Sequence, residues 1–157
     1  MFAMLGGLMF AGQFMLDALP NIHPIALLIT VTTAVYRKKA LIPLYVYVLL
    51  EGVFSGFSLW WMPYLYIWLP LWGAVMLLPK TLSPRAACVL YPTLAALHGL
   101  SFGVLYSPAQ ALFFRLTLEE TLTWIALGFP YDLIHAVSNF GMAFLALPLI
   151  KLLRKMG

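Results

Sequence analysis

Residues 24–57 read PIALLITVTTAVYRKKALIPLYVYVLLEGVFSGF. Two apolar runs are split by three consecutive bases, Arg37, Lys38 and Lys39, and the second run carries no charge until Glu51. A helix lying on the surface of a soluble domain shows water one polar face, so charged residues recur along it. These runs show no such face. They are apolar on all sides, as helices embedded in protein or lipid are, and the short basic cluster between them reads as a topology signal.

The rest of the chain agrees. Of its 157 residues 64% are hydrophobic and only 9% charged, with a mean hydropathy of +0.97; ordinary soluble domains carry about 25% charged residues. The length suits one bundle, a single membrane domain over 1–157. The net charge of +4 does not describe a nucleic-acid surface, because the bases sit in short clusters between apolar runs. Cys88 is the one cysteine, so no internal disulfide forms, and its neighbours Ala86 and Ala87 predict a buried, inert thiol. The chain is apolar from Met1 without a basic leader, so the N-terminus reads as a first helix rather than a cleaved signal.

Cutting at charges, prolines and turn residues gives six apolar segments, near 2–16, 24–36, 40–57, 64–78, 86–106 and 131–153. The expected fold is all-α: a polytopic membrane protein, a six-transmembrane-helix bundle. Arg37, Lys38, Lys39, Lys80, Arg85, Lys151, Arg154 and Lys155 all fall after even-numbered segments or at the C-terminus, with only Arg115 elsewhere, which puts both termini in the cytoplasm. Asp17, Glu119, Glu120 and Asp132 fall at the opposite ends, and Glu51 in the outer half of the third segment. The second segment is well short of the roughly 20 residues that cross a bilayer. Its missing length is expected from 18–23, entering below the outer surface without helical bonding, a shape tolerated only against protein or a water-filled cavity. Residues 107–127 are less apolar. Ser107-Pro108-Ala109-Gln110 and Thr117-Leu118-Glu119-Glu120 both read as helix starts, and Arg115 and Glu119 are spaced to pair. Two short interfacial helices are expected there, folded over the bundle as a lid.

Polar residues at membrane depth are costly and mark function. In YDLIHAVSNF (131–140), Asp132, His135 and Asn139 share one helical face, while Ser138 lies on another. Tyr47, Glu51 and Ser55 share a face of the third segment, and Tyr91, His98 and Phe102 a face of the fifth. Together they predict one pocket opening outward, with Asp132 at its mouth and His135 and Asn139 opposite Glu51. Gln13 and Asn21 are weaker candidates. Two purely structural roles compete: Asp132 and His135 neutralising one another, and His98 bonding a carbonyl of a neighbouring helix. Trp60 and Trp61 are adjacent in a connection and are candidates for stacking on a planar ligand, whereas Tyr66, Trp68 and Trp72 read as interfacial anchors. No HExxH, GxSxG or phosphate-binding glycine loop is present, so no enzyme activity is expected. The spacing of Glu51, His98 and His135 requires no metal, and no cofactor is expected. In AMLGGLMFA (3–11), Ala3, Gly7 and Ala11 form a ridge of small residues, suited to close helix packing within the bundle or against a partner.

The ridge, together with LPNIHP (19–24), YVYVLLEGVFSGFSLWW (45–61) and FPYDLIHAVSNF (129–140), resembles the substrate-binding S component of energy-coupling factor (ECF) transporters over essentially the whole chain. The resemblance implies a multi-pass protein of the bacterial plasma membrane that captures a vitamin or similar trace nutrient outside. It also implies partners: a scaffold transmembrane subunit, docked on the first-helix ridge with Gly7 in place of a central alanine, and two cytoplasmic ATPases. The N-terminal histidine arrangement of the nickel and cobalt members is lacking. The competing class is a redox membrane anchor with His98 and His135 as axial haem ligands, which a Soret band would reveal.

Overall fold

A computed structural model describes residues 1–19 and 21–156; Pro20, within the segment expected to enter below the outer surface, lies outside the described residues. The protein is all-helical, with no strand among the described residues. Its elements are α1 (Phe2–Leu16), α2 (Ile25–Tyr36), α3 (Leu41–Ser55), α4 (Leu69–Leu77), α5 (Pro84–Leu100), α6 (Phe102–Phe114), α7 (Leu118–Ala143) and α8 (Ala146–Met156), with 3-10 turns at Arg37–Ala40 and Met62–Leu65.

α2 is the axis of the bundle. Nine of its 12 residues are buried, and it touches α4, α5, α7 and α8. Its threonines are tolerated there because two satisfy themselves on their own helix: Thr30 donates to the Ala26 carbonyl at 2.8 Å and Thr32 to that of Leu28 at 2.7 Å. Around this axis α1 packs on α3, and α5 on α7. α1 meets α3 through Gly6, where a Cβ would lie 2.5 Å from Val46 Cγ1 and 2.8 Å from the Pro43 oxygen. The ridge one residue on faces away. Ala3 and Ala11 are exposed, and a Cβ at Gly7 would meet nothing within 4 Å.

The two ends of the bundle differ. At one, the Arg37 guanidinium donates to the carbonyls of Val75 (3.3 Å), Met76 and Leu78 (3.2 Å), closing the C-terminus of α4. Arg154 of α8 donates to the Lys80 carbonyl at 2.7 Å, and the Tyr36 hydroxyl reaches the Met1 sulfur. Both chain termini and the basic clusters therefore gather at this end. At the other, the Tyr106 hydroxyl donates to the Trp60 carbonyl at 2.8 Å and Tyr106 stacks on Trp124.

Several expectations are corrected. Residues 107–127 are not two separate lid helices but the adjoining ends of two long ones. α5 and α6 run on through Ser101 as one rod of 31 residues, Pro84–Phe114, and Pro108 sits inside it. Proline at 108 frees the carbonyl four residues earlier. That carbonyl belongs to Val104, and the Ser107 hydroxyl takes it up at 2.9 Å. The serine read as a cap thus mends the helix. Arg115 ends α6 in the left-handed conformation, so it does not share a helix with Glu119. The Thr117 capping box is present. Thr117 N–H donates to the Glu120 carboxylate at 2.7 Å, its hydroxyl lies 2.9 Å from the same oxygen, and these bonds hold the Glu120 carboxyl below the usual range. The last segment ends at Ala143, after which α8 turns by 52°. Cys88 is exposed, not buried. The fourth segment becomes α-helical only at Leu69, because Pro63 and the turns through Trp68 precede it.

Candidate functional site

Many large apolar side chains lie on the surface of this protein, and several polar ones are buried within its largely apolar core. Met4, Leu8, Phe14, Leu49, Phe54, Leu77, Val89, Leu112 and Leu127 are exposed, while Thr30, Thr33, Glu51, His98, Asp132, His135 and Asn139 are buried. His98, His23 and Tyr47 pack around one aromatic side chain, Trp68, which is 1% exposed. Its expected place as an interfacial anchor is therefore overturned. Its ring centroid lies 5.5 Å from His98 in a stacked arrangement, 5.8 Å from Phe102, 6.2 Å from His23, 6.1 Å from Tyr47 and 5.7 Å from Tyr64.

Two irregular segments deliver this core. Residues 21–24, before α2, carry His23 inward, and the turns before α4 carry Trp68. His23 was not among the sequence candidates, yet its ring lies 4.7 Å from that of His135. The signal for it was the short second segment, whose missing length had to fold against protein. All three histidines of the chain thus meet around Trp68 and Phe102, the latter 4.8 Å from His135.

The face of α7 resolves into three different situations. Asp132 accepts the Gly103 N–H at 3.0 and 3.2 Å, so its carboxylate caps the first turn of α6. It is held by that backbone, and no bond joins it to His135. His135 is 1% exposed and neither ring nitrogen has a partner. Asn139 donates to the Ala95 carbonyl at 3.3 Å and leaves its own carbonyl oxygen unpaired. His98 donates through Nε2 to the Ile67 carbonyl at 2.9 Å, the structural role weighed for it, and its Nδ1 is free. With Nε2 engaged and Trp68 stacked on the ring, His98 does not face His135 as a second open imidazole.

On α3, Tyr47 and Glu51 are buried, and the Tyr47 hydroxyl and Glu51 Oε1 lack partners; Ser55 is exposed. Gln13 Oε1 is likewise unpaired, while Asn21 stands at φ 59° in the segment before α2. Trp61 is tied back to α3, donating to the Val48 carbonyl at 2.7 Å and packing edge-on against Phe57. Trp60 stands edge-on to Tyr64 at 5.6 Å. The expected open pocket is filled: the rings of Trp68, His23 and Phe102 occupy the space between the α3 and α7 faces. The grooves are open and apolar, and His98 backs one of them, between α4 and α5.

No family model, curated protein or solved structure matches this chain.

Proposed function

We propose that this is a polytopic membrane protein that binds a small solute in its outer half, acting as the substrate-binding subunit of an ECF-type importer. The observation that carries the reading is that buried polar atoms are left without partners inside an apolar-surfaced bundle, among them both nitrogens of His135, the Asn139 oxygen, Glu51 Oε1 and the Tyr47 hydroxyl. Such groups cost about 1–3 kcal/mol each when unsatisfied. A solute that supplies their partners accounts for their retention.

Membrane embedding is supported by the apolar surface and by the rod Pro84–Phe114, whose mean hydropathy reaches 1.5 over 18 residues. The bent pair α7–α8 is the second element of sufficient length. α1, α2 and α4 have 15, 12 and 9 residues, fewer than a free span needs. α2 is sheathed by its neighbours, and the irregular segments before α2 and α4 complete its path and that of α4 against protein. The end bearing both termini and the bases is cytoplasmic in this reading. Single cysteines at Lys38, Arg85, Lys155, Trp60 and Glu119, in a Cys88→Ala background, test it. With a membrane-impermeant maleimide on intact cells, only positions 60 and 119 should label; labelling at 38 would reverse or break the topology.

The exposed ridge Ala3–Gly7–Ala11 supports a scaffold-subunit contact, as does an adjacent apolar groove between α1, α2 and α8 lined by Leu5, Leu8, Leu28 and Leu153. Gly7→Leu should leave the isolated protein folded, since the added side chain meets open space, but abolish co-purification of a scaffold subunit and its ATPases. Retention of those partners by Gly7→Leu would remove the docking claim. The function itself is tested by native mass spectrometry of protein drawn from its host membrane. A stoichiometric small molecule, lost from a His135 variant, is the expected result. A Soret band in its place would favour the haem-anchor alternative.

A further inference from the structure

Glu51 presents a chemical problem that the histidine side of the core does not. It is 7% exposed and Oε1 has no partner, and among the described residues no base pairs with it. Arg37, Lys80 and Arg154 are engaged or gathered at the far end of the bundle. A carboxylate in such a place is costly unless something positive meets it. What surrounds it is aromatic. Tyr47 lies one turn earlier on the same face of α3, and Tyr64 packs against Trp68 as Tyr47 does. Tyr47 and Tyr64 flank Trp68 at 68° and 75°, and Trp60 stands at 88° to Tyr64. These rings now touch one another edge to face; parted, they would offer negative ring faces beside a lone carboxylate, the combination that receives an organic cation.

We propose that the solute carries a cationic nitrogen, as an alkylated heteroaromatic ring or a substituted ammonium, received by Glu51 and the faces of Tyr47, Tyr64 and Trp68. This rests on the reading of the chain as a solute-binding subunit. The neutral histidine and asparagine atoms across Trp68 then bond the uncharged part of the same molecule. Tyr64 and Trp68 sit in the non-α stretch before α4, so these walls can part without unwinding a long helix.

The test is titration of the purified protein, in detergent micelles, with 1-methylnicotinamide (planar and permanently cationic) and with nicotinamide, its neutral analogue. Tryptophan fluorescence and calorimetry are the readouts. The cation should bind at least about tenfold more tightly. Glu51→Gln should erase that preference, and Tyr64→Leu should weaken the cation several-fold more than it weakens nicotinamide; melting curves confirm that both variants fold. Equal affinities in the wild-type protein, or a preference that survives Glu51→Gln, would overturn the proposal. A co-purified molecule without a cationic nitrogen, released by a His135 variant but not by Glu51→Gln, would overturn it while leaving the binding-subunit reading intact. If nothing co-purifies and neither probe binds, both readings fall.

Discussion

Gly99→Leu should leave little folded protein. At Gly99 α5 and α7 approach closely: a Cβ there would lie 2.9 Å from the Ala136 backbone nitrogen, from Asn139 Nδ2 and from the His135 carbonyl carbon. Two of these are backbone atoms, which cannot swing aside as a side-chain tip does. Overpacking of a close-packed interior costs typically about 1–3 kcal/mol, and leucine brings three more carbons beyond the Cβ into the same gap. The expected outcome is loss of the monodisperse peak in detergent gel filtration, or a melting temperature lowered by ten degrees or more. Gly141→Leu on α7, where a Cβ meets nothing within 4 Å, is the control and should melt like the parent. A Gly99→Leu protein as stable as the Gly141→Leu control would show that α5 and α7 are not packed as described.

His135→Phe should do two opposite things. The substitution keeps a buried aromatic ring of similar size and removes two nitrogens that have no partner in the protein. Each unsatisfied group costs about 1–3 kcal/mol, so the variant should melt a few degrees higher. The same nitrogens are the free valences that a solute would use, and about 1.4 kcal/mol is tenfold in affinity. Retention of the native small molecule should therefore fall by roughly tenfold or more. Asn139→Ala should weaken binding too, with some loss of stability because its bond to Ala95 goes as well. Ser138→Ala, off that face, should alter affinity little. Asp132→Ala should lower the melting temperature and spare affinity, since its carboxylate serves Gly103. Calorimetric titration with the identified solute and parallel melting curves measure all four. A His135→Phe protein that binds normally would place the solute elsewhere.

The helices were legible wherever one rule acted alone. Phe2–Leu16 and Ile25–Tyr36 agree with the expected segments to within a residue because charges and prolines bound them. The shared burial of Asp132, His135 and Asn139 followed from their spacing of three and four. His23 and Trp68 were missed for a common reason. They lie in backbone with no repeat, so tertiary contact alone decides where their side chains point. In a chain this hydrophobic, an alanine neighbour says nothing about inside or outside, which is how Cys88 was expected buried. Trp68 was expected peripheral because aromatics beside a connection commonly anchor at the interface, but this one turns inward. Ser107-Pro108 misled differently: the same pair that begins a helix can repair one, and only the Val104 carbonyl tells which.

Arg37 has a mechanical consequence. Standing at φ 55° just past α2, it grips three carbonyls at the end of α4, and Arg154 fastens α8 to the chain beyond. The helices cannot slide apart there without breaking several charge-assisted bonds together. At the opposite end the Tyr106 hydroxyl and the Trp61 indole tie the connection between α3 and α4 to its neighbours by neutral bonds, while Asp132 ties α7 to Gly103. That connection is thus gripped by a charged group only where α4 ends, like a clothes-peg with its spring at Arg37.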